Sequence, residues 1–283
     1  MMNGDTYDRI FQALWTIFSQ MNGNPDLHMS APRFLMSLFF LTLLYLTIRM
    51  RAMVQFKKHQ IVALVGCVFM VIRECIMLVF LSGWELGLYT DPIIHFLFPP
   101  VEHFFSLMAF GCWSWYTVEA SQWPWLRRLA CTTYVYFGTG LILFSAYALV
   151  TWKQFFTQNF PDVLYAYKDS PVDWQTHLII SIIACVGILA AYMRRRGSSY
   201  LFWFWLIVLV EHFSRTVTFA FYEEQAWQAT VFHAMHTWSI PLLLLHFINA
   251  YVLKMSQCAI CHQEVFLGKL YWESMQSKNT KEN

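Results

Sequence analysis

The chain has 283 residues, of which 58% are hydrophobic and only 13% charged, with a formal net charge of +2. A soluble domain carries about 25% charged residues, so this composition excludes an ordinary soluble enzyme and puts most of the chain in lipid. The small net charge gives no electrostatic footing for nucleic acid, and the segments between apolar runs are too short to bury a core of their own.

The first 30 residues lack the basic stretch and continuous apolar core of a cleavable signal peptide. Ile10, Phe11, Leu14, Trp15, Phe18 and Met21 recur instead at helical spacing, with Asp8, Gln12 and Gln20 set among them. This predicts an amphipathic helix within 1–30, lying on the outer membrane surface or against a partner subunit.

Between 31 and 254, seven runs are long and apolar enough to be membrane helices. They fall near 32–50, 60–84, 92–118, 125–151, 175–193, 199–221 and 227–253. Few Gly and Pro residues, set against 26 Phe, favour helices over the alternating strands of an outer-membrane barrel. The predicted fold is therefore an all-α integral membrane protein, a seven-transmembrane-helix bundle preceded by an interfacial amphipathic helix.

Charge between the spans is lopsided. Arg49, Arg51, Lys57, Lys58, Arg127, Arg128, Arg194, Arg195, Arg196 and Lys254 fall on one side. Glu85, Asp91, Asp162, Asp169, Asp173, Glu223 and Glu224 fall on the other, with only Lys153 and Lys168 as cations. The positive-inside rule then puts the N-terminus outside and the C-terminus in the cytoplasm.

Ionisable residues sit deep in four of the predicted spans. The second carries Arg73 and Glu74, and the third Glu102 and His103 just after Pro99 and Pro100. The sixth carries Glu211, His212 and Arg215, and the seventh His233 and His236. A charge at the bilayer centre costs about 3 kcal/mol even on lenient insertion scales, and such residues are usually functional. Tandem prolines remove backbone donors and are expected to kink or break the third span. The first and fourth spans carry charge only near their ends and none deep in the membrane, which suits faces turned to lipid or to other membrane subunits.

Three chemistries can use such a set. In the leading one, His103, His212, His233 and His236, with Glu102 and Glu211, ligate a transition metal (iron, copper or zinc) or a haem. Glu74, Glu102 and Glu211 then serve as catalytic ligands or proton carriers, and Arg73 and Arg215 balance charge or hold a haem propionate. The protein would be a redox enzyme or a subunit of an electron-transport complex. In the second, the same groups relay protons or bind an ion in a proton-coupled transporter. In the third, Arg73 pairs with Glu74 or Glu102 and Glu211 with Arg215, shaping the ligand pocket of a sensor or receptor for a small molecule. The spacing is neither the Glu-x-x-His of di-iron bundles nor the His-Glu-x-x-His of zinc proteases.

Other residues are expected to matter less. His95 and His177 lie near span ends, where histidine is normally solvated, and His246 falls on a different helical face from His233 and His236. Trp113, Trp115, Trp203 and Trp205 are expected to face lipid or, alternatively, to line a flat cofactor. Cys67, Cys75, Cys112, Cys131 and Cys185 are expected to be buried and inert. The aromatic loop over 152–174 is expected to rest on the membrane interface or to cap the outer mouth.

The segment 255–283 carries Cys258-Ala-Ile-Cys261-His262, the pattern of covalent c-type haem attachment. That chemistry happens outside the cytoplasm, whereas the charge pattern puts this tail inside. A metal knuckle would find two cysteines and His262 here, with Glu264 as a further donor. No lysine lies within a predicted span, which excludes a retinal Schiff base, and no Gly-rich nucleotide loop is present.

Overall fold

The computed structural model describes residues 58–85, 91–119, 124–159, 170–193, 199–221 and 226–260, with Leu38, Leu41, Thr42 and Tyr45. Some of these, His95, Cys131, His233 and Cys258 among them, are described by backbone alone. The amphipathic segment expected within 1–30, most of the first predicted span, and the tail from 261 onward lie outside the described residues.

Six long helices and no strand make up the described segments: α1 (Lys58–Glu85), α2 (Asp91–Glu119), α3 (Pro124–Asn159), α4 (Pro171–Tyr192), α5 (Ser199–Phe221) and α6 (Ala226–Ile260). Leu38, Leu41, Thr42 and Tyr45 are also helical. Among the described residues, three helical stretches are long and apolar enough to cross a membrane: Thr132–Gln158, Pro171–Tyr192 and Ser199–Phe221. Helices of that length and apolarity suggest a membrane protein in a lipid environment.

Several helices outrun the apolar windows that predict them. The window near 125–151 stops at the polar run Lys153-Gln154, yet α3 continues to Asn159. The window near 175–193 begins late, because α4 starts at Pro171. Ser170 takes the extended N-cap conformation (φ −78°, ψ 145°), Pro171 supplies a pre-set first turn, and Asp173 favours the positive end of the helix dipole. Much of the expected loop over 152–174 is therefore helix. The last helix likewise runs beyond 253 to Ile260, so Cys258 lies on it.

Pro99 and Pro100 do not break α2, which runs unbroken from Asp91 to Glu119. Proline at 100 removes the N–H that would bond the carbonyl of Phe96. The indole N–H of Trp152 donates to that carbonyl at 2.8 Å. Trp152 is fully buried, with its ring against Phe155 and Phe156, and Phe156 in turn meets Phe96. A tertiary donor thus replaces the missing helical one, and α3 is stapled to α2 at the proline pair.

α2 packs against α1, α3 and α4, α4 packs most closely on α5, and α5 packs on α6. The contacts fix directions. Arg73 meets Glu102 and Ala63 meets Trp113, so α1 and α2 are antiparallel. α4 and α5 are also antiparallel, since His177 meets His212 while Gly187 lies against Trp205. A Cβ on Gly187 would collide with the Trp205 ring, so glycine allows this approach.

Buried positions on α4 and α5 follow helical periodicity. On α5 they include Leu201, Phe204, Trp205, Val208, Glu211, His212 and Thr216, with Thr218 buried beside them. On α4 they include Val172, Asp173, Thr176, His177, Ile180, Ala184 and Gly187. Each stripe is apolar at one end and polar at the other, and the antiparallel pairing brings the polar ends together. The apolar end is an aromatic core in which Phe110, Trp113, Phe204 and Trp205 are fully buried. Trp113 donates to the Ala63 carbonyl at 3.3 Å and Trp205 to Thr117 Oγ1 at 3.0 Å. These two tryptophans are therefore core residues, against the expectation of a lipid-facing role, whereas Trp203 is half exposed.

α3 presents an apolar outer surface, with Tyr136, Ile142, Leu143 and Val150 exposed. This agrees with the expectation that a span without charge deep in the membrane faces lipid or another protein.

Candidate functional site

The polar ends of five helices converge. Arg73 and Glu74 come from α1, Glu102 and His103 from α2, Asp173 and His177 from α4. Glu211, His212 and Arg215 come from α5 and His236 from α6. Arg73, Glu74, Asp173, His177, Glu211, His212 and His236 are all buried.

Arg73 organises one side. Its Nη1 lies 2.7 Å from Glu74 Oε1 and its Nη2 pairs with Glu102 Oε1. Nη1 also lies 3.4 Å from His236 Nε2. Guanidinium has donors only, so that contact is a hydrogen bond only when His236 carries its proton on Nδ1. His236 Nδ1 then faces Glu211 Oε2 at 3.5 Å. On its own helix Glu211 is also 3.5 Å from Arg215 Nε, and the Arg215 guanidinium lies 5.2 Å from the centre of the Phe232 ring. The pairs expected from sequence, Arg73 with Glu74 and Glu102 and Glu211 with Arg215, are both present.

Histidines organise the other side. His103 Nε2 lies 3.3 Å from Asp173 Oδ1, and His177 Nε2 lies 3.7 Å from the same oxygen. His177 Nδ1 meets His212 Nδ1 at 2.6 Å, with ring centres 4.9 Å apart. His212 Nε2 is buried and has no hydrogen-bond partner among the described residues. Phe110 closes the site toward the aromatic core, edge-on to His212 at 5.5 Å and to His236 at 6.4 Å.

Two groups of side chains have metal-ligating atoms within 4.8 Å of one another. One is His103, Asp173 and His177; the other is Glu211, His212 and His236. Comparison with known proteins finds no matching family, no matching curated protein and no matching solved structure.

Of the ligands expected from sequence, His212, His236 and Glu211 share a group, while His103 stands in the neighbouring one. Glu102 turns to Arg73. His233 is on α6, one turn before His236, and its side chain is not described. Of the tail residues, Cys258 is on α6, and Cys261 and His262 lie outside the described residues.

Asp173 and His177 are additions that the sequence reading missed. It assigned Asp173 to a loop and His177 to a solvated span end, whereas both are buried. The legible signal was the Ser170-Pro171 helix start followed by Asp173 and His177 at i, i+4. His246 is separate from the cluster, as expected, but it is buried and its Nε2 is 2.9 Å from the Tyr116 hydroxyl. The cysteines are less uniform than expected: Cys67 is buried and Cys112 half-buried, but Cys75 and Cys185 are exposed.

An apolar cavity of about 680 Å³ lies between α1, α2, α3 and α4, lined by Met108, Trp115, Tyr134, Leu141 and Ile183 among others. None of its lining residues belongs to the polar cluster.

Proposed function

We propose that this chain is a polytopic membrane protein that binds a transition metal in its intramembrane His/carboxylate cluster and works as a redox enzyme or as a redox subunit of a membrane complex. The observation that carries this reading is the group Glu211, His212 and His236, whose ligating atoms all lie within 4.8 Å. Metal–donor distances of roughly 2.0–2.2 Å at tetrahedral angles set neighbouring donors about 3.3–3.6 Å apart. The His236 Nδ1–Glu211 Oε2 separation of 3.5 Å matches that spacing and exceeds the roughly 2.7–2.9 Å of a charge-assisted hydrogen bond. His212 adds a buried Nε2 with no hydrogen-bond partner among the described residues.

Charge favours a cation as well. The cluster holds four carboxylates, Glu74, Glu102, Asp173 and Glu211, and two guanidiniums, Arg73 and Arg215, an excess of two negative charges. One divalent ion bound through His236 Nδ1 offsets that excess with every imidazole neutral when the His236 proton sits on Nε2, without a hydrogen bond from Arg73. Imidazole with carboxylate suits iron, copper or zinc.

Through their Nδ1 atoms the central histidine pair does not span a haem. Two imidazoles on opposite faces of a haem need nitrogens about 4 Å apart, twice the roughly 2.0–2.1 Å metal–nitrogen length. His177 Nδ1 and His212 Nδ1 are 2.6 Å apart.

The proposal extends to the seven-span topology with the N-terminus outside, and to partner subunits against the apolar surface of α3. It is tested by elemental analysis and by oxidised and reduced absorption spectra of the gently purified protein. Stoichiometric iron, copper or zinc, lost in His212→Ala, is expected. A folded, colourless and metal-free protein would overturn the reading.

A second reading has its own observation. His236 Nδ1 and Glu211 Oε2 stand 3.5 Å apart, two groups able to exchange a proton, which suits a transporter. Protonation of two imidazoles would offset the same excess charge. In that case His236→Ala leaves composition unchanged and alters the pH dependence of transport.

A further inference from the structure

We infer that the centre holds two divalent cations, the second between His103, Asp173 and His177. This rests on the metal reading above and adds a site made of residues outside the first ligand group. The ligating atoms of these side chains lie within 4.8 Å of one another. His103 Nε2 and His177 Nε2 stand 3.3 Å and 3.7 Å from Asp173 Oδ1. Both separations are near the spacing of roughly 3.3–3.6 Å for donors sharing a tetrahedral ion, and long for charge-assisted hydrogen bonds of about 2.7–2.9 Å.

The fold supports the assignment independently. Asp173 and His177 are buried one turn apart on α4, and α2 brings His103 to the same oxygen. Two histidines and one carboxylate are also the composition of the neighbouring group, so the cluster presents the same donor set twice. That set suits a divalent first-row ion such as iron, manganese, cobalt or zinc.

The two sites meet at the 2.6 Å contact between His177 Nδ1 and His212 Nδ1. With His177 and His212 each binding through Nε2, a single proton lies between the two Nδ1 atoms. The ions are then linked by a hydrogen-bonded pair of imidazoles, and the second proton of the pair is released on metal binding. The shared proton leaves the pair with one negative charge, which adds to the two in excess from the carboxylates and favours a second cation.

The test is the stoichiometry of Co²⁺ bound by the full chain, stripped of metal and reloaded in detergent, measured by elemental analysis. Two equivalents per chain are expected for the wild type, halved to one in Asp173→Asn and in His103→Gln. A wild type that binds one equivalent, retained in both variants, would overturn the second site and leave Asp173 and His177 as groups that orient His212. Two equivalents that persist in both variants would also overturn it. A folded wild type that binds no Co²⁺ would sink the metal reading itself, and this inference with it. The wild-type count decides between one ion and two even where a variant fails to fold.

Discussion

Arg73 and Glu102 form an ion pair that joins the middle of α1 to α2, and the guanidinium is 5% exposed. Removing one partner of a buried pair costs about 3–5 kcal/mol, because the other charge is left uncompensated. Arg73→Met is therefore expected to lower the thermal unfolding midpoint sharply. Adding Glu74→Gln and Glu102→Gln in the same chain should restore much of the loss. If Arg73→Met melts like the wild type, the pair does not hold α1 to α2.

The bond from Trp152 to the Phe96 carbonyl makes a smaller prediction. Trp152→Phe keeps most of the packing against Phe155 and Phe156 but removes the donor that replaces the one missing at Pro100. Leaving a buried carbonyl unsatisfied costs about 1–3 kcal/mol. The variant should unfold earlier than the wild type with its metal content unchanged. The double variant with Pro100→Ala, which returns the helical donor, should recover part of the difference.

Much of the cluster could be read from sequence because charged residues inside apolar runs have few structural explanations. Arg73, Glu74, Glu211, His212 and Arg215 lie together for that reason, and the two expected ion pairs form. Asp173 and His177 escaped because an apolar window cannot detect a helix whose first turn is polar. The window began at 175, although Ser170 and Pro171 already signal a start at 171. The proline pair misled in the opposite direction: local chemistry predicts a break, and a tertiary donor from α3 removes the reason for it. Which histidines group together was not legible at all. That depends on α2, α4 and α5 meeting at particular heights, set by contacts such as Gly187 against Trp205.

Gly187 tests that last dependence. Its missing side chain allows the Trp205 ring to lie against the α4 backbone, and an added methyl would collide with the ring. Overpacking of this kind costs about 1–3 kcal/mol. Gly187→Ala should lower stability and loosen the α4–α5 contact that places His177 beside His212, so metal content should fall too. Gly140→Ala, where an added Cβ meets nothing within 4 Å, is the control and should leave both unchanged. Equal effects from the two variants would mean that the α4–α5 approach does not set the cluster.

A ligand that binds only the folded protein raises its stability, by about 2.7 kcal/mol at a concentration 100 times its Kd. Zinc added to the metal-stripped protein should therefore raise the thermal midpoint if the Glu211, His212 and His236 group is a metal site. His212→Ala removes a donor whose Nε2 has no hydrogen-bond partner among the described residues, and most of the rise should go with it. Tyr116→Phe provides the contrast. It breaks the 2.9 Å bond to His246 in a separate part of the bundle and should cost about 1 kcal/mol of stability. Its zinc-dependent rise should nonetheless match that of the wild type. If His212→Ala retains the full rise, zinc binds elsewhere and the Glu211, His212 and His236 group is not the metal site.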